Sequence, residues 1–388
     1  MIVIKSNDRA VLGRLVGTQI AHDLRGGAKP AQGSLDGARV SPPVEGLRLA
    51  QARSKRTSMT ITTTPREIFT NVVAAAVMAP SSHNTQPWRF RIVGPTLEVL
   101  ADPRRRLAVI DGDQRQLIQS CGCALFNARV ALRAMGFEDE VHVLPDPARP
   151  ELLAIVRVGA PIVSSERELA RMRAIAVRHT NRRGFLNRPV SEHDATRLTE
   201  AAAHEGAWAV RLHPEVKRLL ATVIDRADRL QYGDPAFRAE LAEWLVGPLS
   251  RRHDGIPFVE KEYGSSMPFG AMRALRSPDL GEEFGQLEKS LVRSSPVVMV
   301  VGTERDDPAA WLAAGQALEA LLLDATAFGL SASFLNQALE IPELRGNVAE
   351  IVGRIGFPQM VLRLGFSVEP VRHPAPRRPV DDVLLVVE

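Results

Sequence analysis

Two stretches carry residue types that could do chemistry. Ala79-Pro80-Ser81-Ser82-His83-Asn84-Thr85-Gln86-Pro87-Trp88 sets two prolines, two serines, an asparagine and a glutamine within ten residues. Ser81, Ser82, Asn84 and Gln86 are neutral donors and acceptors suited to hydroxyls and ring heteroatoms, and the prolines stiffen the turn that holds them. Further on, Arg178-His179-Thr180-Asn181-Arg182 places two arginines and a hydroxyl at i, i+2 and i+4. In an extended or turning segment, Arg178, Thr180 and Arg182 can converge on one phosphate, because guanidinium forks match phosphate geometry. On composition alone the first stretch also reads as a plain loop and the second as surface charge at a helix end.

These residues need elements to position them. Thr64-Pro65-Arg66-Glu67 predicts a helix start with Thr64 as N-cap and Glu67 closing a capping box. Ile68, Val72, Ala75 and Ala79 follow at helical spacing, and Pro80 must stop that helix. Residues 89–93 and 96–101 read as strands around Gly94-Pro95, and residues 114–135 as a long helix rich in small residues. Residues 152–158 alternate as a strand, which completes a compact α+β unit. In the second half, 297–303 reads as a buried strand and Asp307-Pro308 caps a helix ending at Gly329. Residues 361–367 read as another strand. The Arg104-Arg105-Arg106 triplet reads as a solvated face more readily than as a phosphate grip.

Composition bounds the class. The 388 residues are 45% hydrophobic and 24% charged, with no apolar run long enough to span a bilayer. The start shows no secretory leader pattern. Cys121 and Cys123 are the only cysteines; they are too close for an unstrained disulfide and sit in a helix where they face different ways. Buried reduced thiols in a cytoplasmic protein, with no metal site, is the expectation. Residues 1–58 carry ten Lys/Arg and four Asp/Glu, a balance of +6 that leaves −2 on the remaining 330 residues. They read as a disordered basic tail, possible upstream translation ahead of Met59. No aromatic is interleaved with those charges, which argues against a nucleic-acid arm.

The wording of the first stretch, Ala-Pro-Ser-Ser-x-Asn-x-Gln-Pro-Trp-Arg-Phe from Ala79 to Phe90, resembles the flavin-contacting motif of the nitroreductase family of FMN proteins. Arg178 to Phe185, followed by Pro189-Val190, resembles the family's Arg-x-Ser-x-Arg-x-Phe opening. Here Thr180 replaces the serine and one extra residue precedes Phe185. Gly329-Leu330-Ser331-Ala332-Ser333 is similar to the family's Gly-Leu turn near the flavin ring. Pro376-Arg377-Arg378-Pro379 is similar to its C-terminal basic segment.

The resemblance implies an α+β nitroreductase-like fold with FMN as cofactor. The cofactor-binding candidates it selects are Pro80, Ser81, Ser82, Asn84, Gln86, Arg178, Thr180, Arg182, Ser331, Ser333 and one of Arg377 or Arg378. In the family the arginine motif precedes the Pro-Ser motif, and FMN takes the two from different subunits. Here the order is reversed within one chain. That order predicts two fused nitroreductase-like halves, 59–165 and 166–388, forming an intramolecular pseudo-dimer with one FMN per polypeptide. A homo-oligomer of such chains is left open. Residues 233–288 exceed the family's minimal core and read as a lid over the flavin. Together with the Gly-Ile-Pro at 255–257, this is similar to the Acg-type subfamily of actinobacterial flavoproteins.

Two functions follow from the resemblance. One is NAD(P)H-dependent reduction of nitroaromatic or quinone-type acceptors by hydride transfer at the flavin. The other is a lidded protein that stores or sequesters FMN or acts in a stress or dormancy response. No catalytic triad is present, none is needed for flavin hydride transfer, and His83 and His253 read as loop or packed residues. No Gly-x-Gly-x-x-Gly follows a strand, so NAD(P)H would have to stack on the flavin directly.

Overall fold

Thr64 begins the first helix as its spacing predicts: its hydroxyl accepts from the Glu67 amide and Glu67 reaches back to the Thr64 amide at 2.8 Å. This helix, α1 (Pro65–Ala76), buries Phe69, Val72 and Val73 completely and delivers the chain to Pro80. The computed structural model describes residues 64–247, 250–257, 280–369 and 375–387. The expectations for residues 1–58, and for the candidate lid's Gly/Ser/Pro-rich part at 263–272, lie outside those residues.

The first half places β1 (Trp88–Val93) and β2 (Thr96–Ala101) antiparallel around the Gly94-Pro95 bend. The helix α2 (Arg115–Ala134) follows, then β3 (Phe137–Val143) and β4 (Leu152–Pro161). β3 escapes a hydrophobic reading because it is an edge strand whose Glu138, Glu140 and His142 point to solvent. The second half contributes α3 (Glu166–Val177), α4 (Glu192–His204), β5 (Trp208–Arg211), α5 (Pro214–Gly233) and α6 (Pro235–Trp244). Short strands β6 (Leu245–Val246) and β7 (Ile256–Pro257) then pair in parallel. After them come α7 (Leu280–Ser294), β8 (Val297–Thr303), α8 (Pro308–Ala327), β9 (Ser331–Phe334), α9 (Pro342–Val352), β10 (Phe357–Gly365), α10 (Val380–Val383) and β11 (Leu384–Val387). β10 starts at Phe357, ahead of the residue 361 expected, and a register shift between Pro358 and Met360 absorbs the proline that broke the sequence pattern.

The sheets show how the halves are joined. One has the order β11-β1-β2-β4-β3 and the other β5-β8-β10-β9. The last strand of the chain therefore completes the first half's sheet, lying parallel to β1 with Phe90 opposite Leu384. A boundary at 165 does not separate independent units: one core runs from Val73 and Leu125 through Ile175 to Leu321 and Leu362. At its centre α2 crosses α8 at paired glycines. A Cβ on Gly315 would lie 2.0 Å from the Gln119 carbonyl oxygen, and one on Gly122 would lie 2.4 Å from that of Leu312. Only glycine permits so close a crossing. The two helices also read alike at a constant offset of 193, with Gly122/Gly315, Ala124/Ala317, Leu125/Leu318, Ala134/Ala327 and Gly136/Gly329 identical.

On the other face of the second sheet, α5 and α7 pack through Leu220, Ile224 and Val292 against Val298, Val300 and Val361. Among the described residues no helix is long and apolar enough to cross a membrane. Nor do those residues hold a His/Cys/Asp/Glu group able to bind a metal. The Cys121 thiol donates to the Pro87 carbonyl at 3.3 Å and that of Cys123 to Gly315 at 3.2 Å, each fully buried on its own side of α2.

Candidate functional site

The loop after α1 is a tight turn under backbone strain. Pro80 is buried, Ser82–Asn84 forms a single 3-10 turn, and His83, Asn84 and Gln86 adopt φ of 48°, 53° and 50°. Left-handed φ at non-glycine residues costs of order 1–3 kcal/mol each and persists only where the surroundings fix it. Here the loop's own polar side chains do the fixing. The Gln86 amide donates to Ser81 Oγ at 2.9 Å, and Ser82 Oγ donates to Gln116 Oε1 at 2.5 Å.

Asn84 and Gln86 are engaged by protein on both ends of their amides. Asn84 Nδ2 donates to the carbonyls of Gly255 (2.9 Å) and Pro376 (3.1 Å), and its Oδ1 accepts from Arg377 at 3.1 Å. Gln86, fully buried, donates to the His253 carbonyl at 2.8 Å and accepts from the Arg378 amide at 2.8 Å. These two side chains clamp the 253–255 strap and the C-terminal segment onto the loop, so they shape the site and leave little for a ligand to bond directly. Arg105, the middle of the arginine triplet, completes the clamp by bonding the Thr85 carbonyl and the Asp254 carboxylate. Trp244 lies beneath Arg105 and Arg252, 5.5 and 5.4 Å from their guanidinium carbons. His253 itself is exposed and only its carbonyl takes part.

The second motif runs past this loop in extended form. Arg178 caps α3 with φ −62° and ψ 130° and is 8% exposed. Its Nη2 donates to the Met78 carbonyl at 3.0 Å, at the end of the first motif's helix, while its Nε lies 3.5 Å from Glu319 Oε1. Arg377 arrives from the C-terminus and bonds the same Met78 carbonyl at 3.3 Å. The two guanidinium groups therefore share one acceptor and draw three distant segments together. The Arg378 guanidinium bonds the Asp382 carbonyl at 2.9 Å and the Gln86 carbonyl at 3.4 Å, so of the two arginines it is Arg377 that shares the Met78 carbonyl with Arg178.

Thr180 bridges Ala332 in parallel, and the Asn181 amide donates to the Ala332 carbonyl at 2.8 Å. The Gly-Leu turn thus lies beside the arginine segment, with Ser331 half-buried and Ser333 6% exposed. Buried Arg363, opposite Ser333 on β10, fixes the segment by donating to the carbonyls of Arg183 (2.9 Å) and Arg182 (3.0 Å). The Arg182 side chain is exposed. It lies near His83, whose imidazole is pushed down to about 4, first by burial and then by the Arg182 charge, and so is neutral at pH 7.

Four contributors were not apparent from the sequence: Gln116, Glu319, Glu340 and Arg363. Gln116 links Ser82 to Glu340 Oε1 at 2.9 Å, and Gln231 donates to Glu340 Oε2 at 2.6 Å, so a polar chain ties the motif loop to the C-terminal end of α5. Glu319 is fully buried, and burial lifts its carboxyl to about 7 against the pull of Arg178, the Asn127 side chain and Arg377. An acid inside the apolar run Leu318–Leu323 is the one signal that could have marked it.

The family profile described as Nitroreductase family matches residues 49–109 and 175–366. Rv3131 of Mycobacterium tuberculosis H37Rv, provisionally named an NAD(P)H nitroreductase, is 34% identical over 326 residues, covering 82% of this chain and 91% of its own length. The protein acg of the same strain, with the same provisional name, is 30% identical over 330 residues, covering 82% of this chain and 96% of its own. Among solved structures, the FMN- and NADPH-dependent nitroreductase NfnB of sphigopyxis sp. strain HMH aligns over 55% of this chain and 96% of its own. Its identity is 21% and its TM-score 0.37, too slight a likeness to carry weight below.

Proposed function

This chain belongs to the nitroreductase family, and from that premise we propose that it is an FMN-binding flavoprotein whose flavin site is assembled from its own two halves. The observation that carries the reading is the meeting of Arg178 and Arg377 on the Met78 carbonyl. Two guanidinium groups brought together from separate segments suit a phosphomonoester better than any neutral ligand. Thr180 adds a hydroxyl beside them, and Ser331 and Ser333 line the adjoining turn, where ribityl hydroxyls and the ring edge would lie.

FMN, when bound, would supply the two-electron redox chemistry for NAD(P)H-dependent reduction of a nitroaromatic or quinone-type acceptor. The chain's own residues bind, orient and shield. Arg178 and Arg377 anchor the anionic end. Asn84, Gln86 and Arg105 hold the strap against the motif loop and limit water access, and His83, neutral at pH 7, brings no charge to the site.

One observation favours a second reading, in which the protein keeps FMN rather than turning substrates over. The strap at 253–255 is bonded to the loop at both ends of Asn84 and by Gln86, a seal that a mobile lid would lack. The visible spectrum of flavin-loaded protein under anaerobic NADPH separates the two. Flavin bands that bleach within seconds support the reductase. Bands that resist NADPH but bleach with dithionite support storage or sequestration. Protein that takes up no FMN contradicts both.

A further inference from the structure

Glu319 has no part in the function just described, yet it stands directly behind the arginine cradle. It projects from α8 toward α2, the end of α3 and the C-terminal segment. Among the described residues the charged and titratable groups that face it are these. Arg178 comes from the end of α3, 3.5 Å away, and Arg377 from the C-terminal segment. Cys123 and Asn127 come from α2; the thiol is buried and pushed far up, first by burial and then by Glu319, and so stays neutral. The Met78 carbonyl accepts from both arginines. A carboxylate buried here is tolerated through Arg178, the Asn127 side chain and Arg377, each of which favours its charged form, since an unpaired buried charge is costly.

We propose that Glu319 is a positioning residue of this cradle: it aims the Arg178 fork and takes up one proton when a phosphomonoester docks between Arg178 and Arg377. The inference rests on the FMN reading and adds to it a residue and a linkage that the arginines alone would not produce. The physical cause is competition. A phosphate dianion draws the guanidinium charge toward itself and repels the carboxylate behind, so the carboxylate gains a proton from solvent and becomes the neutral acid. In the free protein Glu319 is balanced near neutrality, at about 7, by burial against the attraction of Arg178. A second negative charge is enough to tip it.

The sign follows. Above pH 7 a proton must be recruited as FMN binds, so affinity falls as pH rises, by up to about tenfold per unit. The phosphate's own second ionisation, near 6, leaves that window clear. FMN binding is measured by quenching of flavin fluorescence between pH 7 and 8.5, with riboflavin, which lacks the phosphate, as the internal control. Wild-type protein should lose at least fivefold in FMN affinity across the range, with riboflavin unchanged. Glu319→Gln, which keeps the side chain's shape, should be flat within twofold and bind FMN more tightly than wild type at pH 8.5. A thermal melt of the variant confirms that it is folded. A flat wild-type profile, or an unchanged slope in Glu319→Gln, overturns the role of Glu319 while leaving the flavin site intact. Absence of FMN binding at every pH instead overturns the flavin reading and the linkage with it.

Discussion

Replacing Arg178 with methionine is expected to weaken FMN binding about a hundredfold or more while changing riboflavin affinity by less than about threefold. Truncating one partner of a buried, hydrogen-bonded charge pair typically costs about 2–5 kcal/mol, and each 1.4 kcal/mol is a factor of ten. The loss should be confined to the phosphate because the guanidinium's contacts are with the Met78 carbonyl, which Arg377 shares, and with Glu319. A second effect separates this variant from a simple loss of contact. Glu319 would keep its burial and lose its nearest cation, so its carboxyl would rise further above its already raised position. An acid whose folded-state pKa is raised costs stability as pH climbs from its unfolded value toward the folded one. In wild type that loss ends near pH 7; in Arg178→Met it continues above it. The stability deficit, read from urea melts at pH 6.5 and 8.5, should therefore grow with pH, reaching about 3 kcal/mol at the alkaline end. A deficit equal at both pH values would show that Arg178 and Glu319 are not coupled.

Gly315→Ala is expected to be strongly destabilising. The added carbon would sit 2.0 Å from the Gln119 carbonyl oxygen, against backbone that belongs to a helix and cannot step aside. The α2–α8 crossing must open, and overpacking of this kind costs roughly 3 kcal/mol or more, lowering Tm by about 5–10 °C. Because α2 carries Gln116 and α8 carries Glu319, opening the crossing should also weaken FMN binding. Gly346→Ala is the matched control. It lies in α9 with nothing within 4 Å of the added methyl, and should be neutral or slightly stabilising. Equal melting temperatures for the two variants would contradict the close crossing.

Local chemistry was legible in the sequence, and long-range pairing was not. Thr64 with Glu67 and Asp307 with Pro308 marked helix starts because a cap is satisfied within four residues. α1 stops at Ala76, short of the Ala79 that the spacing pointed to, and Met78 and Ala79 lead to Pro80 through tighter i−3 bonds. The motif residues could be named from their order, but what Asn84 and Gln86 bond could not, since their partners lie at Gly255, His253, Pro376 and Arg378. The choice between Arg377 and Arg378 depends on the direction in which the chain passes the loop, which no spacing records. β3 was hidden by its charged outward residues. β11 was hidden because its partner, β1, lies almost three hundred residues earlier. Glu319 was masked by the apolar helix around it, where a sequence reading expects only core.

The central claim is that one chain builds one flavin site, with the Pro-Ser loop from its first half and the arginines from its second. Loading the full chain with excess FMN, removing the unbound flavin, and measuring the FMN released on denaturation per mole of polypeptide tests it most directly. A ratio of one, unchanged whether the protein runs as a monomer or a larger species, is the predicted result. A ratio near two would mean that each half carries its own site, and a ratio of one-half would mean that a site needs two chains; either would contradict the account.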